Sequence, residues 1–514
     1  MSEIDRGSPI LGTVHEDGLL ARLLPAWSVI PIIAGLFIWA FSENIGYLNV
    51  DDLIAIISGN PAEAYAVIDL QDGRHLLAAA ILAFNAVGLD GLRDYTIFAV
   101  LYAFVFAWFC QAAVAYVTRD SGLRPEIVRV WTVLSGVLLL THGFFGDLIA
   151  WKIAYHVMLV TLLPVIVCLR LLARHSPTPR LCLELAGLML IINMMYQPGA
   201  TAVLFLTFAG VLVTALSPGG RAGRTLGPYF AQIGIVVAAY VAAGAGYLVV
   251  THVIRAVSGI GAARPFALVS LHQLPNHLYL YASQIIGVFD PTGYLGGARI
   301  VEPQALIALA LVAGLAWLAF RRGNFVPVWI GLVGLGLLLS NPQNLLLTYY
   351  GPSSRSSFYI GFFLPVLLIA AHASGPSPRW KDRIVGLTVV VLALQVAWFL
   401  RQSSERMELQ RREFAFARLI VNTIDADPTT RNAPSVRLPH TPPPGIYQGL
   451  HSGMGEARPP FLNGTGGSAL CSPMPQAENS PMWAKAIVRR CDPARWKSSC
   501  AARATPSRSA IERS

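Results

Sequence analysis

Apolar residues along this chain come in runs of about 17 to 25, which is what a helix rising ~1.5 Å per residue needs to cross roughly 30 Å of hydrocarbon. Eleven such runs are readable as membrane spans, at 23–42, 95–118, 128–145, 150–172, 181–196, 198–216, 228–251, 303–320, 325–341, 356–374 and 383–401. Strict alternation of apolar and polar positions is absent, which excludes a β-barrel. Two further apolar stretches, 75–90 and 276–288, are short for spans, and both read as helices lying along the interface; Tyr279 and Tyr281 suit the headgroup region. After 401 the pattern changes again. "RQSSERMELQRREFAFARLIVNTI" is charged and helical in period, with Phe414, Phe416, Leu419 and Ile420 on one face. Residues 437–464 are then rich in Pro and Gly, as loop material is.

Composition sharpens this into a class. Apolar residues make up 54% of the 514 and charged residues only 13%, about half the charged share of a soluble domain. The chain is expected to be an all-α polytopic membrane protein with about 11 transmembrane helices. The first span follows a polar segment of mixed charge and has no small-residue cleavage pattern behind it, so it reads as an anchor.

Charge orients the spans. With a cytoplasmic N-terminus, the short loops on that side hold Arg119, Arg124 and Arg129, then Arg174 and Arg180, Arg221 and Arg224, Arg321 and Arg322, and Arg379, Lys381 and Arg383. The longer loops opposite hold fewer cations, so the positive-inside bias is self-consistent. Counting 75–90 as a span would break it. The domains expected are a cytoplasmic N-terminus (1–22), a membrane domain (23–401) with outer loops 43–94 and 252–302, a periplasmic C-terminal segment (402–484) and a disordered basic tail (485–514). The net charge of +10 follows from the loops and the tail, and implies anionic lipid as partner and no nucleic acid. No internal repeat, nucleotide motif or zinc spacing is present, and Cys471, Cys491 and Cys500 in the tail are the cysteines available for pairing in an oxidising compartment.

The outer loops carry the candidate chemistry. The first contains "NVDD" and, about twenty residues on, "QDGRHL". Asp51 or Asp52 can serve as a general base, can bind a divalent metal, or can simply cap a following helix at its N-terminus. Arg74 offers a planar fork to phosphate oxygens. His252, His272 and His277 in the late loop are possible proton carriers, but interfacial histidines are more often hydrogen-bonded scaffold.

The order "NVDD…SG…DGRHL", then "HGFFGDLIAWKIAYHVML", then "MMYQPGATAVLFL" resembles the bacterial Gtr type-two integral-membrane glucosyltransferases over residues 30 to about 400. These add glucose to O-antigen from polyprenyl-phosphate glucose, on a GT-C-like architecture whose first outer loop holds juxtamembrane helices. The resemblance implies an inner-membrane enzyme with its C-terminus in the periplasm. It makes Asp51 and Asp52 the catalytic acidic pair, aligns Gly73 and Arg74 with the loop's Gly-Arg, and aligns Tyr196 and Gln197 with a Tyr-Gln at the outer end of a later span. A Tyr-Arg-Phe-Asp-like stretch is replaced here by "AWKIAY", leaving Lys152 as its cation and Asp147 as the nearest acid. Arg355, in "YYGPSSRSSFY", is a further outer cation. The partners expected are the polyprenyl-phosphate sugar donor, a surface-polysaccharide or lipid-linked acceptor, and membrane lipids. No cofactor is required beyond a divalent metal that the acidic pair leaves open.

Two other classes fit part of the pattern. An O-antigen polymerase or ligase would centre on the late loop with Arg255 and Arg264. A lipid-linked oligosaccharide transporter would place charges inside the spans, where this chain has almost none.

Overall fold

The computed structural model describes residues 24–47, 52, 61–142, 145, 148–149, 151–152, 155–217, 227–259, 269–287, 301–342, 345, 355–375 and 377–426. The helices in chain order are α1 (Val29–Ser42), α2 (Pro61–Gln71), α3 (His75–Ala86), α4 (Tyr95–Thr118), α5 (Pro125–Thr141), α6 (Tyr155–Arg174), α7 (Pro179–Tyr196), α8 (Pro198–Leu216), α9 (Gly227–Ser258), α10 (Leu274–Gly287), α11 (Val301–Arg322), α12 (Phe325–Leu337), α13 (Phe363–Ala373) and α14 (Pro378–Ala426). No strand occurs among the described residues. Seven of them, α4, α6, α7, α8, α9, α11 and α14, contain stretches long and apolar enough to cross a membrane, and the chain is a multi-pass all-helical membrane protein. The other four predicted spans fall on the shorter helices α1, α5, α12 and α13.

Helix α8 lies at the centre. Its sequence, "PGATAVLFLTFAGVLVTAL", is apolar or small on every side, and a helix of that kind is buried all round; nearly all of its residues lie inside the protein. It packs against α4, α6, α9, α12 and α13. Small residues let the backbones close up. A Cβ added to Gly331 of α12 would lie 3.1 Å from the Leu212 Cα of α8. An aromatic layer joins α1, α4 and α6: the Phe37 and Tyr102 rings are 4.9 Å apart, and Tyr102 and Tyr155 5.9 Å.

The helix ends sort into two sets. At one end the Arg119 guanidinium donates to the Leu172 carbonyl and to Gln232. There too Arg322 donates to the carbonyls of Leu216 (3.0 Å) and Ser374 (2.8 Å). The basic loops that the charge bias placed on one side therefore share one end of the bundle. The segments 44–47, 69–75, 196–201 and 247–255, with Lys152 and Tyr155, lie at the opposite ends of the same helices.

Three departures from the sequence reading bear on the site. Residues 61–71 form a helix that was not anticipated, because "PAEAYAVIDLQ" lacks an apolar stripe. Helix α9 runs two turns past 251, so His252 and Arg255 belong to a helix end. Helix α14 continues without a break from the span at 383–401 to Ala426. Its 49 residues extend about 74 Å, more than twice the ~30 Å hydrocarbon thickness. The extension is anchored. Gln402, Ser403, Arg406 and Gln410 are buried, and their spacing puts them on one face. Asn44 donates to Ser403 (3.1 Å), Arg406 donates to the Asn44 side-chain amide oxygen Oδ1 (3.5 Å), and Arg406 sits 6.0 Å from the Tyr47 ring. This clamp holds the segment leading into the acidic motif. Arg406→Ala is expected to cost about 2 kcal/mol, as for a lost hydrogen bond to a charged group, measured by unfolding in detergent.

Candidate functional site

Five stretches far apart in sequence meet at the end opposite the basic loops. Asp51 lies outside the described residues, as do Asp147, Arg264 and the side chain of Arg355. Asp52 is described and fully buried. It lies within electrostatic reach of Lys152 and Tyr155. Lys152 is itself buried: its ammonium donates to the Ile45 carbonyl and sits 4.7 Å from the Tyr95 ring centre. Burial pulls the Lys152 pKa below the usual lysine value, and the Asp52 carboxylate works against that. A buried acid thus faces a buried cation.

The second group is built on the sharp turn between α2 and α3. Gly73 takes φ +80°, and a Cβ there would come within 2.5 Å of the Tyr247 hydroxyl, so both backbone and space demand glycine. The turn aims Arg74 inward. Its guanidinium pairs with Asp69 at 3.0 Å and Asp72 at 3.8 Å and lies 5.4 Å from the Tyr196 ring centre. Burial would lower the Arg74 pKa, but the two carboxylates outweigh it and the net shift is upward. Much of the guanidinium is therefore engaged within the protein, and its Nε has no hydrogen-bond partner among the described residues.

Gln197 occupies the one-residue break between α7 and α8, where Pro198 starts the next helix. Its amide donates to the Tyr247 hydroxyl (2.9 Å), which in turn donates to the Asp72 carbonyl (3.4 Å). The tight turn at "YQP" and the polar site are thus the same feature. From α9, Arg255 donates to the Gln71 carbonyl at 2.6 Å. Tyr102 links the two groups: its ring is 5.9 Å from Tyr155, and it lies within electrostatic reach of Tyr196.

Asp69, Asp72, His75 and Tyr247 were not singled out from sequence. His75 is buried, and neither ring nitrogen has a hydrogen-bond partner among the described residues. Desolvation and then Arg255 lower its pKa. The folded state therefore holds it neutral, while an unfolded histidine binds a proton below the usual 6.5. Stability is expected to fall as pH drops through that value, because the unfolded state then binds more protons. His75→Phe should flatten this dependence, read as unfolding midpoints in detergent between acid and neutral pH. His252 and His272 are exposed and His277 is buried on α10. Among the described residues no group of three or more His, Cys, Asp or Glu is placed to hold a metal ion.

Comparison with family models, with curated proteins and with solved structures returned no match for this chain.

Proposed function

We propose that this protein is a bacterial inner-membrane glycosyltransferase that moves a single sugar, glucose by the family resemblance, from a polyprenyl-phosphate donor to an O-antigen-like surface glycan. The observation that carries the reading is convergence. Asp52, Arg74, Lys152, Tyr196 and Gln197, picked from separate outer segments, come to one end of the helical bundle. On this reading the fold is GT-C-like with eleven spans, a cytoplasmic N-terminus and a periplasmic C-terminus, and the site opens to the periplasm.

The chemistry is one displacement. A carboxylate of the acidic pair accepts the proton of an acceptor hydroxyl as that oxygen bonds to the anomeric carbon. The bond from the anomeric carbon to the phosphate oxygen breaks, and the electron pair leaves on the lipid phosphate. Lys152, with Arg74 and Arg255 across Tyr102, supplies positive charge toward that leaving group. A single displacement inverts the anomeric configuration. Tyr196 holds Arg74 in place, and Gln197 holds the 72–74 turn through Tyr247.

Arg255 gives a second reading some support, because it joins the 71–75 turn, and a polymerase or ligase acting on lipid-linked glycans would use an arginine from this region. One experiment separates the two. Membranes containing the protein are incubated with polyprenyl-phosphate [14C]glucose and O-antigen acceptor. Label on the acceptor, with inverted configuration, supports single-sugar transfer. Growth of acceptor chain length from a lipid-linked oligosaccharide, with no label transferred from the monosaccharide donor, supports the alternative.

A further inference from the structure

The opposite end of the bundle carries a cleft of about 330 Å3 between the ends of α4, α6 and α9. Its polar lining includes Arg119, Asp120, Arg174, His175, Tyr229 and Gln232. Arg119 is a built floor for it. The guanidinium caps the Leu172 carbonyl near the end of α6, bonds Gln232, and lies 4.7 Å from the Tyr116 ring centre. A helix C-terminus repels anions through its free carbonyls, and here Arg119 covers one of them. Asp120, the one acid in the lining, is paired with Arg119 at 3.1 Å. Arg174 and His175 stand exposed at the rim, with no side-chain partner among the described residues. Pro228 and Tyr229 bring the first turn of α9 to the opposite wall, and that end of a helix favours negative charge.

The remaining wall is apolar. Leu181 and Ile235 line the cleft from α7 and α9, both long and apolar enough to span a membrane. A cationic floor joined to an apolar flank at the ends of spanning helices matches an amphiphile at the membrane interface better than it matches a free ion. We propose that this cleft is a binding site for the phosphate headgroup of an anionic membrane lipid, with Arg174 and His175 contacting the phosphate, Arg119 setting the field beneath it, and Leu181 and Ile235 meeting the first part of the acyl chains. The site is independent of the reaction proposed at the other end.

The test is native mass spectrometry of the detergent-solubilised full chain titrated with phosphatidylglycerol, phosphatidylcholine or inorganic phosphate. The unaltered protein should retain one phosphatidylglycerol in preference to phosphatidylcholine. Arg174→Ala/His175→Ala should weaken that binding at least about tenfold, equivalent to ~1.4 kcal/mol, with an unchanged unfolding midpoint. Arg180→Ala serves as control. Arg180 is exposed near the same end, pairs with Glu184 at 2.9 Å, and does not line the cleft. Equal weakening by Arg180→Ala would show general attraction to positive charge and overturn the site. Retention of phosphatidylglycerol by the double variant, or equal retention of phosphatidylcholine, would overturn it too. Inorganic phosphate that competes at the concentrations where the lipid binds would reassign the cleft to a soluble anion.

Discussion

Asp52→Asn is expected to lower sugar transfer by about 10²- to 10⁴-fold, the range for loss of a general base, while leaving the protein folded. The substitution keeps size and removes the charge. Asp52 is buried and faces Lys152, so the carboxylate has a cation at hand that favours its ionised form, as a base requires. Losing it acts on Lys152 too. The ammonium is already pulled down by burial, and without the Asp52 carboxylate no charged partner among the described residues opposes that pull. Both members of the pair then fail together, and Lys152→Met alone should give a similar loss. The measurement is initial rate of label transfer in membranes with matched protein levels, beside Asp51→Asn made separately. Undiminished transfer by Asp52→Asn would leave its carboxylate a structural partner of Lys152 and remove it from the chemistry.

Spans were the most legible part of this chain because their physics is local. The runs 95–118 and 198–216 coincide with α4 and α8 to the residue; a basic residue at 119 ends one and Pro198 starts the other. Legibility fails where an element is held by tertiary contacts. Helix α2 has no periodic stripe, and the C-terminal half of α14 looks like a separate charged segment until Asn44 and Ser403 are seen bonded across the fold. The site divides the same way. Arg74 was readable as an outer-loop cation, whereas Lys152, Tyr196 and Gln197 came forward only through the family resemblance. What engages them was not legible, because Tyr247 is fifty positions from Gln197 and the Arg255–Gln71 contact joins residues 184 apart. Asp69 and Asp72 flank Arg74 closely in sequence, yet only the glycine turn at 73, with its positive φ, folds both carboxylates back onto the guanidinium. His75 carried no signal beyond its place after Arg74.

That turn supports the second large effect. Arg74→Ala is expected to destabilise the protein by about 3–5 kcal/mol, the cost of breaking a buried ion pair from one side. Asp69 and Asp72 are 2% and 7% exposed, and the substitution removes the cation that lies against both, along with the group stacked on Tyr196. Arg74→Lys should be milder. It restores a charge but has no planar fork to meet two carboxylates and no flat face for the ring, so transfer drops while most of the stability returns. Acid separates this account from a simple packing loss. In Arg74→Ala the cation that favours the charged form of Asp69 is gone, so the folded variant protonates that carboxylate more readily than the folded parent does. The folded variant then binds more protons as pH falls, and the stability gap to the parent protein should narrow on acidification. Unfolding in detergent at neutral and mildly acidic pH reads this directly. A gap that stays constant with pH would mean that the lost contacts with Tyr196, and not the stranded carboxylates, set the cost.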